Sequence, residues 1–123
     1  MKFLQANIHH AKAASDTFCS TFCANKISIG LIQEPWVSRG KICGLSSGKC
    51  KLLYDHTTQV PRAAIMVDAN IRFLLLSEFC SKDQVAIVVD VPITGGFREV
   101  VCASAYFSAE DVAAPAIVQS LID

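Results

Sequence analysis

Residues 27–36 read ISIGLIQEPW, an apolar run that ends in a carboxylate, a proline and the single tryptophan of the chain. The β-branched residues of this run favour a buried strand over Ile27–Gln33. Because Pro35 has no backbone N–H to donate to a neighbouring strand, the strand must end at Glu34-Pro35. The stretch therefore predicts a hydrophobic strand that places the carboxylate of Glu34 at its carboxyl end.

A second strand and a helix precede this stretch. Phe3 to Ile8 is predicted as a short buried strand, and the helix that follows is predicted to end near Asn25. The apolar face of that helix has residues at three- and four-residue spacing: Ala11, Ala14, Phe18 and Phe22. If the two strands are neighbours, Asn7 reaches the same edge of the sheet as Glu34.

Asn7 and Glu34 are candidate residues for a metal site. Ligands in open α/β sheets bind beyond the carboxyl ends of strands, and protein oxygens are the ligands that hard divalent cations prefer. The residues alone leave an alternative open, in which Glu34 caps a turn and Asn7 hydrogen-bonds its own backbone.

The rest of the chain predicts further strands and a final helix. Turn residues separate five strand candidates: Lys51–Tyr54, Ala63–Asp68, Phe73–Ser77, Val85–Val91 and Val100–Phe107. The last two candidates resemble a hairpin around Gly95-Gly96, and Gly40–Gly48 is predicted as a loop with one short strand. A capping-box pattern at Ser108 predicts a helix that runs to about Asp123 with Ile122 on its buried side. The expected fold class is α/β, an incomplete half of a layered α/β sandwich in which a mixed sheet has two main helices.

Composition bounds the kind of protein. The chain has 123 residues, of which 52% are hydrophobic and 18% charged, so a packed core is expected. Eleven basic residues balance eleven acidic ones, and this zero net charge argues mildly against a free-standing nucleic-acid binder. The first ten residues are too polar for a secretory signal, and no apolar run is long enough to span a bilayer. The sequence therefore predicts a soluble intracellular protein, nuclear or cytoplasmic, with no membrane partner.

The chain has six cysteines and no CxxC pair. Without an export signal, free core thiols are favoured over disulfides. The alternative is a zinc site built from Cys43, Cys50 and the His9-His10 pair, although their spacing matches no standard zinc site.

Four segments carry a resemblance that covers the whole chain. They are Gln5-Ala6-Asn7, Leu31-Ile32-Gln33-Glu34-Pro35-Trp36, Pro61-Arg62-Ala63-Ala64-Ile65 and Ala103-Ser104-Ala105-Tyr106-Phe107. Together they resemble the exonuclease–endonuclease–phosphatase superfamily and, within it, the endonuclease domains of non-long-terminal-repeat retrotransposons. The segment with Gln-Glu-Pro-Trp is the most specific of the four.

The resemblance implies a Mg²⁺-dependent (or Mn²⁺-dependent) endonuclease that hydrolyses phosphodiester bonds of DNA. It implies that Glu34 binds the metal, that Asn7 helps to hold the metal-bound phosphate region, and that Tyr106 hydrogen-bonds the scissile phosphate or its attacking water. In an intact element the domain nicks target DNA, and a reverse transcriptase domain is expected to follow it.

The sequence also departs from the family pattern. An Asp-x-Asn pair after a later strand and an Asp-His pair near the C-terminus complete the family's site, and neither is present; Asp68-Ala69-Asn70 lies ahead of the Tyr106 strand. Residues 1–123 are therefore expected to be the N-terminal part of such a domain, truncated at its C-terminus, inactive alone and with one apolar face of its sheet uncovered. The alternatives are a phosphatase or phosphodiesterase of the same superfamily and a non-catalytic remnant.

Overall fold

Two β-sheets and one helix form the layers of the molecule, in a computed structural model that describes residues 1–46, 48–108 and 121–122. The main elements, in chain order, are β1 (Phe3–Asn7), α1 (Lys12–Ala24), β2 (Ile29–Gln33), β3 (Val37–Ser38), β4 (Lys41–Ile42), β5 (Cys50–Leu53), β6 (Ala63–Asp68), β7 (Phe73–Leu75), β8 (Gln84–Ile93) and β9 (Gly96–Ala105). A single 3₁₀ turn, Ser77–Phe79, lies between β7 and β8.

The first sheet has the strand order β1-β2-β6-β5 and is mixed, as the sequence predicted. β1 and β2 run parallel, whereas β2–β6 and β5–β6 are antiparallel. Helix α1 covers one face of this sheet with Phe18 and Phe22, which pack with Ile32 and Met66 in a buried cluster. The parallel pairing brings the carboxyl ends of β1 and β2 to the same edge of the sheet.

The second sheet is antiparallel, with the order β7-β8-β9. The predicted hairpin around Gly95-Gly96 is confirmed, because β8 and β9 pair along their whole length and both glycines have positive φ. The sheet packs its inner residues, among them Val85 and Ile87, against Ile29 and Ile65 of the first sheet. Strand β6 is therefore covered on both faces, and Ala63 to Val67 are all buried.

The expectation of a single sheet with one uncovered apolar face, which included Ala63–Val67, is wrong for those residues, because they are buried. That expectation treated the later strands as part of the same sheet, whereas β7–β9 form a second sheet that folds back over the first. Exposed apolar side chains lie instead on the outside of the second sheet. Leu74 is 65% exposed and Val101 is 53% exposed, and both flank Val88 in the strand register.

The predicted fold class is confirmed as α/β, with one main helix among the described residues rather than two. Among its described residues, the Gly40–Gly48 segment contains one short strand, as predicted, and this strand, Lys41–Ile42, pairs with Val37–Ser38 in a small hairpin. The helix predicted from Ser108 lies almost wholly outside the described residues. Ile122 is described and is 70% exposed, so its predicted burial is wrong. No helix in the described ranges has the length and apolar character needed to cross a membrane.

Candidate active site

The structure brings Asn7, Glu34 and Tyr106 together at one edge of the molecule. Asn7 ends β1 and lies opposite Gln33, the last residue of β2, so Glu34 follows directly at the same edge. Tyr106 follows β9, and its hydroxyl lies beside the Glu34 carboxylate; burial and then this carboxylate raise the pKa of Tyr106. Three residues from different strands therefore meet at strand ends.

The backbone of Glu34 is held in a left-handed conformation, with φ of 48°. Its N–H donates to the carbonyl of Arg62 at 3.0 Å, and its own carbonyl accepts from the N–H of His10 at 2.9 Å. Left-handed backbone costs a residue with a β-carbon ~1–2 kcal/mol, so these bonds must offset strain. His9 and His10 also have positive φ. Non-glycine residues with this strain are concentrated here, as is common at functional sites.

Two histidines flank the Glu34 carboxylate. His9 Nδ1 lies 3.4 Å from Oε2, and His10 Nε2 lies 4.0 Å from Oε1. The side chain of His9 is 78% exposed, whereas that of Glu34 is only 19% exposed. The sequence suggested this pair only as part of an alternative zinc site with Cys43 and Cys50. Helix α1 begins later, at Lys12, and the loop before it turns the histidines toward Glu34.

Arg62 and Asp83 form an ion pair that contacts Tyr106. The Arg62 guanidinium donates to both carboxylate oxygens of Asp83, at 2.6 and 2.9 Å, and lies 4.8 Å from the centre of the Tyr106 ring. The N–H of Tyr106 donates to the Asp83 carbonyl at 2.8 Å. The sequence did not identify Asp83 as the partner of Arg62, because the two residues lie 21 positions apart.

The environment of Tyr106 favours its protonated form. Burial of the hydroxyl and then the adjacent Glu34 carboxylate raise the pKa of Tyr106, and the positive charge of Arg62 opposes this only in part. A protonated hydroxyl can donate a hydrogen bond to a carboxylate or to a phosphate oxygen.

Asn7 makes the local bond that the sequence left as an alternative. Its Oδ1 accepts the N–H of His9 at 2.9 Å, which holds the turn that carries both histidines. The amide nitrogen is the remaining group with which Asn7 can bind an anionic ligand. Both the structural and the ligand-binding interpretation of Asn7 are therefore compatible with the geometry.

A line of polar side chains connects the two sheets beside the site. Gln5 donates to the side-chain oxygen of Gln33, Gln33 Nε2 donates to Ser104 Oγ at 2.8 Å, and Ser104 Oγ donates to the Ile32 carbonyl at 2.6 Å. Gln5 and Gln33 also line an open groove with Asn7 and Tyr106. The groove therefore offers both hydrogen-bonding and apolar contacts beside the site.

The donor set at Glu34 fits a divalent cation in part. A carboxylate is a hard oxygen ligand, and an imidazole nitrogen lies next to it. Among the residues that the structure describes, no three histidine, cysteine or acidic side chains are grouped to hold a metal ion. The described residues would therefore supply only part of a coordination shell.

The fold is similar to that of a solved endonuclease domain. No family model matches the sequence, and no curated protein matches it. Among solved structures, the chain is similar to the endonuclease domain of TRAS1, a telomere-specific non-long-terminal-repeat retrotransposon, with a TM-score of 0.69 and 23% sequence identity. The alignment covers 89% of this chain and 45% of that chain. The likeness supports, at the level of the fold, the resemblance that the four sequence segments indicated.

Proposed function

We propose that this chain is the N-terminal part, residues 1–123, of a metal-dependent DNA endonuclease domain that nicks target DNA for retrotransposition. The observation that carries the proposal is the meeting of Asn7, Glu34 and Tyr106 at strand ends, within a fold shared with a retrotransposon endonuclease domain. DNA is the proposed substrate and a reverse transcriptase domain the proposed neighbour, in a nuclear or cytoplasmic setting.

Each residue has a proposed role in phosphodiester hydrolysis. Glu34 would hold Mg²⁺ or Mn²⁺, and the ion would supply positive charge at the phosphate oxygens. Tyr106 lies beside the Arg62–Asp83 ion pair, and its hydroxyl donates a hydrogen bond to the phosphate or to the attacking water. Asn7 holds the phosphate through its side-chain amide.

A non-catalytic domain is the second candidate. Positioned acid–base groups contribute ~10²–10⁴-fold to a rate, and the Asp-x-Asn and Asp-His pairs expected to provide them are missing. The part of the chain that the structure describes also groups no three ligands around one ion. Both observations favour binding without catalysis for these 123 residues alone.

Nicking of supercoiled plasmid DNA with Mg²⁺ tests the proposal. We expect no nicking by the chain alone and clear nicking by the chain extended through the remainder of its domain. In the extended protein Glu34→Gln should abolish nicking, and Tyr106→Phe should slow it by about 10²-fold because one donor to the reacting phosphate is lost.

Glu78→Gln is the matched control, because Glu78 is an exposed glutamate in the 3₁₀ turn after β7. The control should nick at the wild-type rate. Nicking by the extended protein that survives Glu34→Gln would contradict the site. Nicking by the chain alone, lost in Glu34→Gln, would contradict its expected inactivity.

A further inference from the structure

The imidazole of His9 is placed as a ligand beside Glu34. We propose that His9 is a second protein ligand to the cation at Glu34, and that its nitrogen makes the site prefer Mn²⁺ to Mg²⁺. This inference rests on the proposed function, because it takes Glu34 as the metal ligand. It adds a residue of this chain that none of the four sequence segments contains.

The distance between the two side chains fits a shared ion. Ligands bound at ~2.1 Å to one ion, at angles between about 90° and 109°, lie about 3.0 to 3.4 Å apart. His9 Nδ1 and Glu34 Oε2 are 3.4 Å apart. Both atoms can therefore bind one ion without movement of either element.

The backbone holds His9 in this position. Its φ of 51° is left-handed, and its N–H donates to Asn7 Oδ1. Two further bonds fasten the turn to β2, from the N–H of Ile8 to the Gln33 carbonyl and from the N–H of His10 to the Glu34 carbonyl, each at 2.9 Å. The strained turn thus fixes the His9 backbone relative to Glu34, as is needed when two ligands must share an ion.

His10 is less suited to the same role. Its Nδ1 lies 3.1 Å from the Pro35 carbonyl, an acceptor, so that nitrogen carries the proton. Its Nε2 lies 4.0 Å from Glu34 Oε1, near the ~4.2 Å limit for two ligands on opposite sides of one ion. His10 thus orients the loop, and His9 is the candidate ligand.

The chemistry of the donor pair determines which ion is favoured. Mg²⁺ requires oxygen ligands in near-octahedral geometry and keeps several waters, whereas imidazole nitrogen binds the transition metals more strongly. His9 is largely exposed, so water can complete the shell of either ion. A site with one carboxylate and one imidazole should therefore discriminate against Mg²⁺.

Metal titrations of the full chain test the inference without any activity measurement. Binding of Mn²⁺ is followed by loss of the electron paramagnetic resonance signal of the free ion, and binding of Mg²⁺ by its competition with Mn²⁺. We expect His9→Ala to weaken Mn²⁺ binding by about tenfold and Mg²⁺ binding by less than about twofold. His56→Ala is the control, because His56 is exposed and stacks on Tyr54; it should change neither affinity.

Glu34→Gln separates failure of the inference from failure of the proposed function. If Glu34→Gln weakens both ions and His9→Ala leaves their affinity ratio unchanged, Glu34 is a ligand and the proposal for His9 is overturned. If Glu34→Gln changes neither affinity, the metal site of the proposed function fails as well. Line broadening by Mn²⁺ that is strongest at the His9 ring protons would support direct ligation.

Discussion

At the scale of single residues, the site is defined by what surrounds one carboxylate. Glu34 is contacted by Tyr106 from the second sheet and by His9 and His10 from the loop after β1. The backbone strain at Glu34, His9 and His10 gives no benefit to the core, since none of these side chains is buried. Strain of this kind persists when the surrounding bonds over-determine it, and the bonds to Arg62 and β2 do so here.

The interaction between Tyr106 and Glu34 can be measured through the pKa of the tyrosine. The chain has two tyrosines, so Tyr54→Phe leaves Tyr106 as the only one to titrate. We expect the pKa of Tyr106 to lie above its ordinary value of 10.0, because burial and the Glu34 carboxylate both disfavour tyrosinate. Adding Glu34→Gln should lower the pKa, and tyrosinate absorbance against pH measures both values.

The raised pKa of Tyr106 also determines how the folding stability changes with pH. Because the folded-state pKa is raised, the stabilisation from Tyr106 is fully present below the unfolded pKa near 10 and is lost as the pH rises through the folded value. Glu78→Gln should leave the titration unchanged. A Tyr106 pKa that does not respond to Glu34→Gln would show that the two side chains are not coupled.

At the scale of elements, local pattern predicted most of the strands. β6 has the predicted bounds, and β1, β2 and β5 differ from the prediction by one or two residues. Alternating and β-branched apolar residues bounded by turn residues are strong local signals. Asn7 and Glu34 meet at one edge because β1 and β2 are parallel neighbours, a condition that the sequence left open.

Local sequence patterns did not predict which distant strands and side chains pair. The division into two sheets depends on which strands pair, and strand pairing is not encoded in any one segment. The bond from Gln33 to Ser104 spans 71 residues, and the Arg62–Asp83 ion pair joins two loops. No pattern in the sequence marks these partners, so the support beneath Tyr106 was missed.

Gly30 shows how closely α1 packs on the first sheet. A Cβ at Gly30 would lie 2.7 Å from Phe18 Cζ and 3.3 Å from Phe22 Cε2, and both rings are buried. We expect Gly30→Ala to lower the free energy of unfolding by about 1–3 kcal/mol through overpacking. Denaturant unfolding measures the change.

A control glycine and a second-site variant test whether overpacking causes the loss of stability in Gly30→Ala. Gly48→Ala should be close to neutral, because nothing lies within 4 Å of a Cβ there. Phe18→Leu in the Gly30→Ala background should restore part of the loss, so that the two changes are not additive. Full additivity would show that the methyl group does not act through Phe18.

At the scale of the whole molecule, two surfaces differ in character. The groove beside β1 has a mixed character, because Gln5, Asn7 and Gln33 line it together with Leu31 and Phe107. The outside of the second sheet has an apolar patch, in which Leu74 and Val101 are exposed on either side of Val88, and the charged residues Asp90 and Glu99 lie beside it. The buried cluster between the sheets is continuous, so the molecule has a core of its own between two layers.

This arrangement changes the expected behaviour in solution. A sheet lacking its partner would make the chain molten, whereas a chain with two packed sheets and a separate apolar patch should unfold cooperatively and bind hydrophobic dye only at the patch. The pair Leu74→Lys and Val101→Glu should remove most dye binding with the melting temperature changed by less than about 4 °C, since neither side chain is in the core. Val60→Lys, at an exposed loop valine, should leave dye binding unchanged. Strong dye binding that persists in the double variant, together with a broad non-cooperative melt, would show that the two sheets do not hold each other in place.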